Sequence, residues 1–515
     1  MCSKLIEAWK TNKIKKEWKI AFFATFVIGF LVHMYKFTNY LPNYDAIRNF
    51  YDSQNMIGSG RWLLSLACSF SSYYELPWVD GILSLIFISL TMVVIVEIFK
   101  MKNPALIIIG GGILVSFPAI TETFFFLYTA DGYMIAMFLA AIAVYISRME
   151  TPGVWRTVVA AILICLACGI YQAYVSFALV LAICYFIFSV LKEKLETKNL
   201  FKWIGRQAII YVAGLALYYV IWQVLLIVEG ETASGYNGND TLSLEISTIF
   251  TAVIKSVIYF AWAFVIDYSF STVTVYSALN VIFIICFIVA YIAVIIKQKM
   301  LKRKLQLLLI LVATVAIPFA SCMWFFVSDE LTYVMRMLQS LSILYIFLAV
   351  IVEEFLNVGF KNFVALLLSV IVFNYGIMAN IADRLLEQSY EQSYEEADDM
   401  LDAIEDLDTD ITKIAVIGVE NYTGDYYTDN VLMNGDYYNH LGIFYTALNR
   451  TFIYDGNHIV NFMNYAFSTD YEYATDEEVE ALCELEEVQE MGTWPASDSV
   501  EVVDDYIVIK LLEIE

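Results

Sequence analysis

The chain has 515 residues, of which 60% are hydrophobic and 16% are charged, whereas soluble domains have about 45–50% apolar and about 25% charged residues. This composition excludes an ordinary soluble protein, because most of the apolar residues form runs of about 17–25, close to the length that a helix needs to cross a bilayer. The formal net charge is −24.

Charge divides the chain into two regions. Residues 1–380 carry 26 Lys and Arg against 21 Asp and Glu, whereas residues 381–515 carry 4 against 33. The second region has a net charge of −29 and is too polar to lie in lipid. We therefore predict a transmembrane domain over residues 1–380 and an acidic soluble domain over residues 381–515.

Apolar runs in the first region predict about eleven transmembrane helices. With the N-terminus inside, the main lysine and arginine clusters all fall on the cytoplasmic side, as the positive-inside rule requires. An odd number of spans places the acidic domain outside the cytoplasm. We predict a multi-pass protein of the bacterial plasma membrane, with spans beginning near residues 20, 79, 105, 131, 157, 171, 207, 275, 306, 337 and 362.

Three stretches need separate interpretation. Residues 157–188 are too long for one crossing, and basic residues at both ends favour a tight helical hairpin. Residues 61–78 and 249–269 are aromatic-rich but are interrupted by polar residues, and counting either one as a crossing would invert the lysine pattern. We interpret both as helices that lie in the outer interface, where Trp and Tyr are favoured.

The loops predicted on the outer face gather acids, arginines and aromatic residues. Carboxylates act as general bases, arginines bind phosphates, and aromatic rings stack on the apolar faces of sugars. The pattern favours an enzyme that works at the membrane surface. The charged residues are Asp45, Arg48, Asp52 and Arg61 in NYLPNYDAIRNFYDSQNMIGSGRW, Glu122 and Asp131 in FPAITETFFFLYTADGY, and Arg336 in SDELTYVMRMLQ.

The same residues also have structural interpretations. Asp52 and Arg48 have the spacing of a solvated helical ion pair. Asp131 directly precedes a predicted span and suits its N-cap, whereas Glu122 suits an ordinary loop acid. Asp45 lies in a turn that contains proline, and the arginines suit lipid phosphates at the interface. The prediction that all of these residues lie on the same side of the membrane is stronger evidence for an active site than any one residue.

The segments NYDAIRNFYDSQNMIGSGRWLLSLA, FPAITETFFFLYTADGY and GIYQAYVSFAL resemble the bacterial polytopic glucosyltransferase family whose best-known members modify O-antigen. The likeness covers most of residues 20–380. It implies a GT-C-like fold that moves glucose, or a related hexose, from a polyprenyl-phosphate-linked donor to a surface glycan. Transfer would occur outside the cytoplasm with inversion at the anomeric carbon. The expected partners are this donor, the acceptor glycan and the lipid bilayer, without nucleic acid.

The resemblance also implies roles for residues. Asp45 best matches the acid that such enzymes place in the first outer loop as a base, and Glu122 and Asp131 are further catalytic candidates. The leaving phosphate departs as an anion and needs positive charge rather than a proton, so no cofactor is required, although the three acids leave a divalent metal open. The candidates for substrate and phosphate binding are Arg61, Arg336, Asp52 and Tyr171.

The acidic region predicts a small α/β domain. Residues 381–407 form an amphipathic helix that leaves the last span, and KIAVIGV (413–419) is a short apolar strand. Thr475 with Glu478 forms a capping box before EVEALCELEEV. VEVVDDYIVIKLLEI predicts a hairpin about Asp504 and Asp505.

The main alternative function is a transporter or flippase of a lipid-linked saccharide. Such a protein needs polar groups or broken helices near the midplane of the bilayer, whereas most of the predicted spans are uninterrupted and the charges cluster at one face. A receptor that uses the acidic domain to bind ligands would leave the residues of the outer loops unexplained.

Overall fold

The computed structural model describes residues 14–193, 195–234, 246–265, 275–328, 331, 333–418, 452 and 455–513. Their contacts divide the chain into two units. We call the first, residues 1–39 and 51–380, the helical unit, and the second, residues 40–50 and 381–515, the C-terminal unit.

Helices dominate the described residues. In chain order they are α1 (Lys16–Thr38), α2 (Ala46–Asn49), α3 (Leu64–Cys68), α4 (Pro77–Phe99), α5 (Pro104–Ser116), α6 (Pro118–Phe125), α7 (Ala130–Ile146), α8 (Val154–Ile170), α9 (Ala173–Lys192), α10 (Thr197–Glu229), α11 (Ile246–Val265), α12 (Val275–Lys297), α13 (Lys304–Val315), α14 (Ile317–Ser321), α15 (Ser342–Phe355), α16 (Val358–Glu405), α17 (Gly456–Phe467), α18 (Asp476–Cys483) and α19 (Glu486–Glu490). Short 3-10 helices cover Ser69–Ser71, Leu127–Thr129, Met300–Lys302, Met323–Phe326 and Met335–Leu341.

Among the described residues, nine helices are long and apolar enough to cross a membrane by length and composition, where the adjoining helical segments in Pro104–Phe125, Leu127–Ile146 and Met335–Phe355 each count as one helix. They lie at nine of the eleven predicted positions, and the prediction of an all-α multi-pass membrane protein is confirmed. The other two positions hold α8, with 17 residues, and α13, with 12. Two residues separate α8 from α9. Pro318 follows α13 closely and has no backbone N–H to continue the helical hydrogen bonds.

The predicted helical hairpin over residues 157–188 is present as two helices, because α8 ends at Ile170 and α9 begins at Ala173. Residues 61–78, predicted as one helix, contain only α3 and the turn Ser69–Ser71. Ser72 and Tyr73 have φ of +66° and +67°, a left-handed backbone that ends a helix. The second aromatic-rich stretch is helical as α11, and residues 266–269 lie outside the described part of the chain.

Close helix packing organises the start of the helical unit. Helix α4 packs against α1 and α7, and α1 also packs against α5. A Cβ at Gly111 of α5 would overlap the hydroxyl of Thr25 on α1 and lie 3.2 Å from its Cβ. A Cβ at Gly29 of α1 would lie 2.5 Å from side chains of α4 and α5. Glycine is therefore required where these helices meet, as small residues are in membrane bundles.

The C-terminal unit is built on a four-stranded sheet in the order β2-β1-β4-β3. Strand β1 pairs in parallel with β2 and β4, whereas β3 and β4 form the predicted antiparallel hairpin. Alternate residues of β1 enter two apolar cores, one lined by α16 and α17 and the other by α18 and α19. The predicted capping box of Thr475 and Glu478 is present at α18. The strands are β1 (Lys413–Ile417), β2 (Glu472–Tyr473), β3 (Val500–Val503) and β4 (Tyr506–Lys510).

Residues 40–50 belong to the C-terminal unit although they follow the first span in sequence. Ile47 packs against the core lined by α16 and α17. The hydroxyls of Tyr40 and Tyr465 are 2.9 Å apart, and the ring of Phe50 lies 6.0 Å from that of Tyr465. Two distant parts of the chain therefore build this unit.

The glycine contact between α1 and α5 yields the first testable prediction. Gly111→Ala should lower the free energy of unfolding by about 1–3 kcal/mol, because the added methyl group overpacks the contact with Thr25. Thermal unfolding in detergent micelles measures the effect.

The matched control is Gly205→Ala in α10, where no atom lies within 4 Å of an added Cβ. Alanine there should be neutral or stabilise the helix by up to about 1 kcal/mol. Equal effects of the two substitutions would show that the close contact does not limit stability.

Candidate active site

The SGRW segment forms a tight turn that pairs with the end of α8. The backbone N–H of Gly60 donates to Ile57 O at 2.9 Å, and that of Arg61 donates to Met56 O at 3.0 Å. Gly60 has φ of +79°, which glycine adopts without strain. The N–H of Leu63 donates to Gly169 O at 2.8 Å, so the turn lies beside the break between α8 and α9.

Arg61 lies in an aromatic cluster. Its Nη1 donates to the hydroxyl of Tyr133 at 3.2 Å, and its guanidinium carbon is 5.2 Å from the ring centre of Tyr171. The two tyrosine rings stack with centres 4.1 Å apart and planes 8° apart. We call Arg61, Tyr133 and Tyr171 the Arg61 cluster. It brings together the GRW and GIYQAY segments, which the sequence could not place next to each other.

Polar contacts from α10 and from the break before α9 hold the turn in place. Gln172 Nε2 donates to Ser59 O at 2.8 Å and to the hydroxyl of Tyr218 at 3.2 Å. Trp222 Nε1 donates to Ile57 O at 2.7 Å. The loop that carries Arg61 is therefore fixed by α10 and by the break before α9, which orders the guanidinium group.

Glu122 and Arg336 form a buried ion pair. Arg336 donates to Glu122 Oε2 from its backbone N–H at 2.7 Å and to Oε1 from Nη1 at 2.9 Å. The Glu122 side chain has no exposed surface, and that of Arg336 is 18% exposed. The Arg336 guanidinium also lies 4.3 Å from the ring centre of Phe126. Both carboxylate oxygens of Glu122 accept from Arg336, so each charge offsets the other.

Asp131 lies in the first turn of α7 rather than at its N-cap, which is Thr129. Its side chain is fully buried, and Oδ1 accepts from the N–H of Gly132 at 2.7 Å. Its carboxyl interacts electrostatically with Asp80 of α4, and the Ser71 hydroxyl faces both. Burial and the two nearby carboxyls raise the pKa of the Cys68 thiol well above its usual range, so Cys68 stays neutral.

Glu75 extends this group of acids. It is 2% exposed, and burial raises the pKa of Glu75 from its ordinary value of 4.5 to about 7, against the opposite influence of Lys36. Glu75, Asp80 and Asp131 are thus three buried acids near one end of α4.

Asp45 and Asp52 have different settings. Asp45 is half-buried, belongs to the C-terminal unit and is the N-cap residue of α2, where its N–H donates to Asn43 Oδ1 at 3.2 Å. Asp52 Oδ1 accepts from the N–H of Gln54, which has φ of +55°. Asp52 therefore stabilises its own turn, and the roles of both acids toward substrate stay predictions.

Three residues of this region were missed by sequence reasoning: Tyr133, Glu75 and Asp80. In the ADGYM segment, Tyr133 follows the predicted site acid Asp131 by two residues, and this proximity could have marked Tyr133 as a site residue. Glu75 and Asp80 flank the start of a span in YYELPWVD, where an acid is costly and needs a reason. Among the described residues, no three His, Cys, Asp or Glu side chains are grouped to hold a metal ion.

The fold and the cluster define a multi-pass membrane protein with an arginine and stacked tyrosines at a helix break, an arrangement suited to a phosphate-bearing sugar. The chain belongs to the glucosyl transferase GtrII family, whose model matches residues 34–353, more than half of its length. The predicted resemblance is therefore confirmed, and the chain is a membrane glycosyltransferase by family. No curated protein and no solved structure matches the chain.

The raised pKa of Glu75 predicts how stability depends on pH. The folded protein retains this proton up to about pH 7, whereas the unfolded chain releases it near 4.5. The folded state binds more protons between these values, so its stability should fall as pH rises through this window, by on the order of 3 kcal/mol.

Glu75→Gln should therefore raise the thermal-unfolding midpoint relative to the unmodified protein above about pH 7 and lose this advantage below about pH 4.5. The exposed Glu193→Gln in the same unit is the matched control and should show no such dependence. If the unfolding midpoints of Glu75→Gln and the unmodified protein differed by the same amount at every pH, the proposed pH dependence through Glu75 would be excluded.

Proposed function

We propose that the protein transfers glucose, or a related hexose, from a polyprenyl-phosphate-linked donor to a cell-surface glycan on the extracytoplasmic face of the bacterial plasma membrane. The proposed reaction inverts the anomeric carbon: the bond from this carbon to the donor phosphate breaks, and a bond to the acceptor oxygen forms. The acceptor proton passes to a carboxylate.

The Arg61 cluster is the observation that carries this proposal. A guanidinium group binds phosphate oxygens through a planar fork of donors, and an aromatic face adjoins the apolar face of a sugar. Arg61 is held beside both Tyr133 and Tyr171 by a fixed turn. The cluster therefore offers a donor phosphate positive charge and offers its sugar an aromatic surface.

Arg336 is the second candidate for the donor phosphate. Its pairing with the fully buried Glu122 offsets its charge, but its side chain is 18% exposed. The pair supports a site in which Glu122 orients Arg336 rather than one in which Glu122 itself takes a proton. Positive charge that is fixed before the reaction stabilises a leaving phosphate without reorganisation.

Asp45 is the proposed general base. A base must come within hydrogen-bond reach of the acceptor hydroxyl, and Glu122 and Asp131 have no exposed surface. Asp45 retains partial exposure. Its role rests on this exposure and on its match to the first outer loop of the resembling enzymes.

Donor binding tests the role of Arg61. Arg61→Gln should raise the KM for polyprenyl-phosphate-glucose by roughly 10–100-fold, because a hydrogen bond to a charged group contributes about 1.5–3 kcal/mol. Arg61→Lys should recover part of this loss by restoring charge without the planar fork. Transfer of radiolabelled glucose in proteoliposomes measures both variants.

Arg156→Gln is the control, because Arg156 is an exposed arginine of the same unit. It should leave the KM unchanged. The donor site would lie elsewhere if Arg61→Gln bound and transferred glucose as the unmodified protein does. Appearance of the intact lipid-linked sugar on the other side of the membrane, without transfer, would favour a flippase.

Acceptor deprotonation tests Asp45 separately. Asp45→Asn should reduce the single-turnover rate by about 10²–10⁴-fold, as loss of a general base typically does, while donor affinity is retained. Asp402→Asn, an exposed substitution in the same unit, should have no effect. If Asp45→Asn transferred glucose at a near-normal rate and Glu122→Gln or Asp131→Asn abolished transfer, the base would instead lie in the second outer loop.

A further inference from the structure

Two tyrosines close the loop that carries Arg61. Tyr51 and Tyr74 face each other in an antiparallel β-bridge, and beside it the N–H of Asp52 donates to Tyr73 O at 3.1 Å. The chain from Tyr51 to Tyr74 therefore forms a closed loop within the helical unit. We call it the Arg61 loop and its two closing residues the tyrosine pair.

The tyrosine pair presents an open aromatic surface. The two ring centres are 4.6 Å apart, and the ring planes are inclined at 44°. Tyr51 is 61% exposed and Tyr74 is 42% exposed. A ring pair that only stabilises a fold is usually buried, because its contribution comes from the aromatic area that it removes from solvent. Here much of that area is available to a ligand.

The backbone that presents Tyr74 is strained. The two residues before it, Ser72 and Tyr73, have φ of +66° and +67°, in the left-handed region that residues with a Cβ seldom adopt. Such backbone persists only where the surrounding structure imposes it, and it is concentrated at active sites and ligand-binding sites. The strain supports a function for the position of the Tyr74 ring.

The charge beside the tyrosine pair favours a sugar over a lipid headgroup. Asp52 directly follows Tyr51 and keeps partial exposure, while its Oδ1 accepts from the N–H of Gln54. A carboxylate repels the phosphate of a phospholipid, whereas it accepts hydrogen bonds from sugar hydroxyls. Tyrosines also anchor proteins at membrane surfaces, but that role requires neither a fixed ring pair nor a strained backbone.

We propose that the tyrosine pair and Asp52 bind a sugar unit of the acceptor glycan. The apolar face of the sugar stacks on the two rings, and one of its hydroxyls donates to the Asp52 carboxylate. The Arg61 loop then carries both the residue proposed for the donor phosphate and the surface for the acceptor. The proposal rests on the proposed function, because transfer requires a second saccharide beside the donor.

The experiment measures glucose transfer by the full-length protein in lipid nanodiscs at saturating polyprenyl-phosphate-glucose. The varied acceptor is the surface polysaccharide extracted from a strain that lacks this protein. Tyr51→Leu should raise the KM for the polysaccharide by roughly tenfold, because leucine keeps apolar volume but has no flat face. Tyr51→Phe should keep a near-normal KM, and the same two substitutions at Tyr74 should behave alike.

Asp52→Asn should raise the KM for the polysaccharide by roughly fivefold, since a hydrogen bond to a neutral acceptor is weaker than one to a charged acceptor. The asparagine Oδ1 still accepts from the N–H of Gln54, so the turn is retained. Phe70→Leu is the matched control, because Phe70 is a 68% exposed aromatic residue of the same loop. It should leave this KM unchanged.

Three results would overturn the proposal. An unchanged KM for the polysaccharide in both leucine variants would show that the rings do not bind the acceptor. An equal rise in the KM for the donor would show that the tyrosine pair only holds the Arg61 loop in place. Full acceptor affinity in Asp52→Asn would exclude the hydrogen bond to its carboxylate.

Binding of the labelled polysaccharide without donor separates this proposal from the proposed function. Its affinity should fall in Tyr51→Leu and stay unchanged in Arg61→Gln. Absence of transfer by the unmodified protein, with the fall in Tyr51→Leu preserved, would refute the transferase and retain the sugar surface. Normal transfer with normal binding in the leucine variants would refute the surface alone. The thermal-unfolding midpoint identifies a variant that does not fold, and Asp52→Asn then provides the test.

Discussion

A charge that is removed from water in a helical membrane protein must be neutralised by the protein itself, and this constraint governs the region around α7. Glu122 meets it with Arg336, through two hydrogen bonds to one arginine. Asp80 and Asp131 have no such cation among the described residues. Arg61 is stabilised differently, by the hydroxyl of Tyr133 and the ring of Tyr171. Each solution involves a residue of the segment 122–133, namely Glu122, Asp131 or Tyr133, so each depends on how this segment packs against its neighbours.

Local sequence signals predicted much of the fold. The nine long apolar helices, the capping box of Thr475 and Glu478 and the hairpin of β3 and β4 depend on neighbouring residues, and all are present. The helix predicted over residues 61–78 was wrong, because the left-handed backbone at Ser72 and Tyr73 leaves no hydrophobic signature. Spans of α8 and α13 were predicted from apolar runs, which do not reveal where a helix is interrupted.

The candidate site was less accessible to sequence reasoning. Arg61, Tyr171, Glu122 and Arg336 were chosen for their chemistry, but the sequence could not pair them. Arg61 and Tyr171 are more than 100 residues apart in sequence, and Glu122 and Arg336 are 214 apart. Periodicity contains no information on such pairs. Tyr133 was missed because tyrosine is common in apolar segments, and it gains its role only from the contact with Arg61.

The composition of the C-terminal unit has a consequence for biosynthesis. Residues 40–50 are synthesised long before Ile507 and Ile509, which belong to the core against which Ile47 packs. Asp45 therefore emerges in a segment that waits for more than 300 residues of later chain before its native packing can form. The arrangement makes the loop that carries the proposed base depend on synthesis of β4, so a translation product that stops before this strand would contain the membrane helices without native support for that loop.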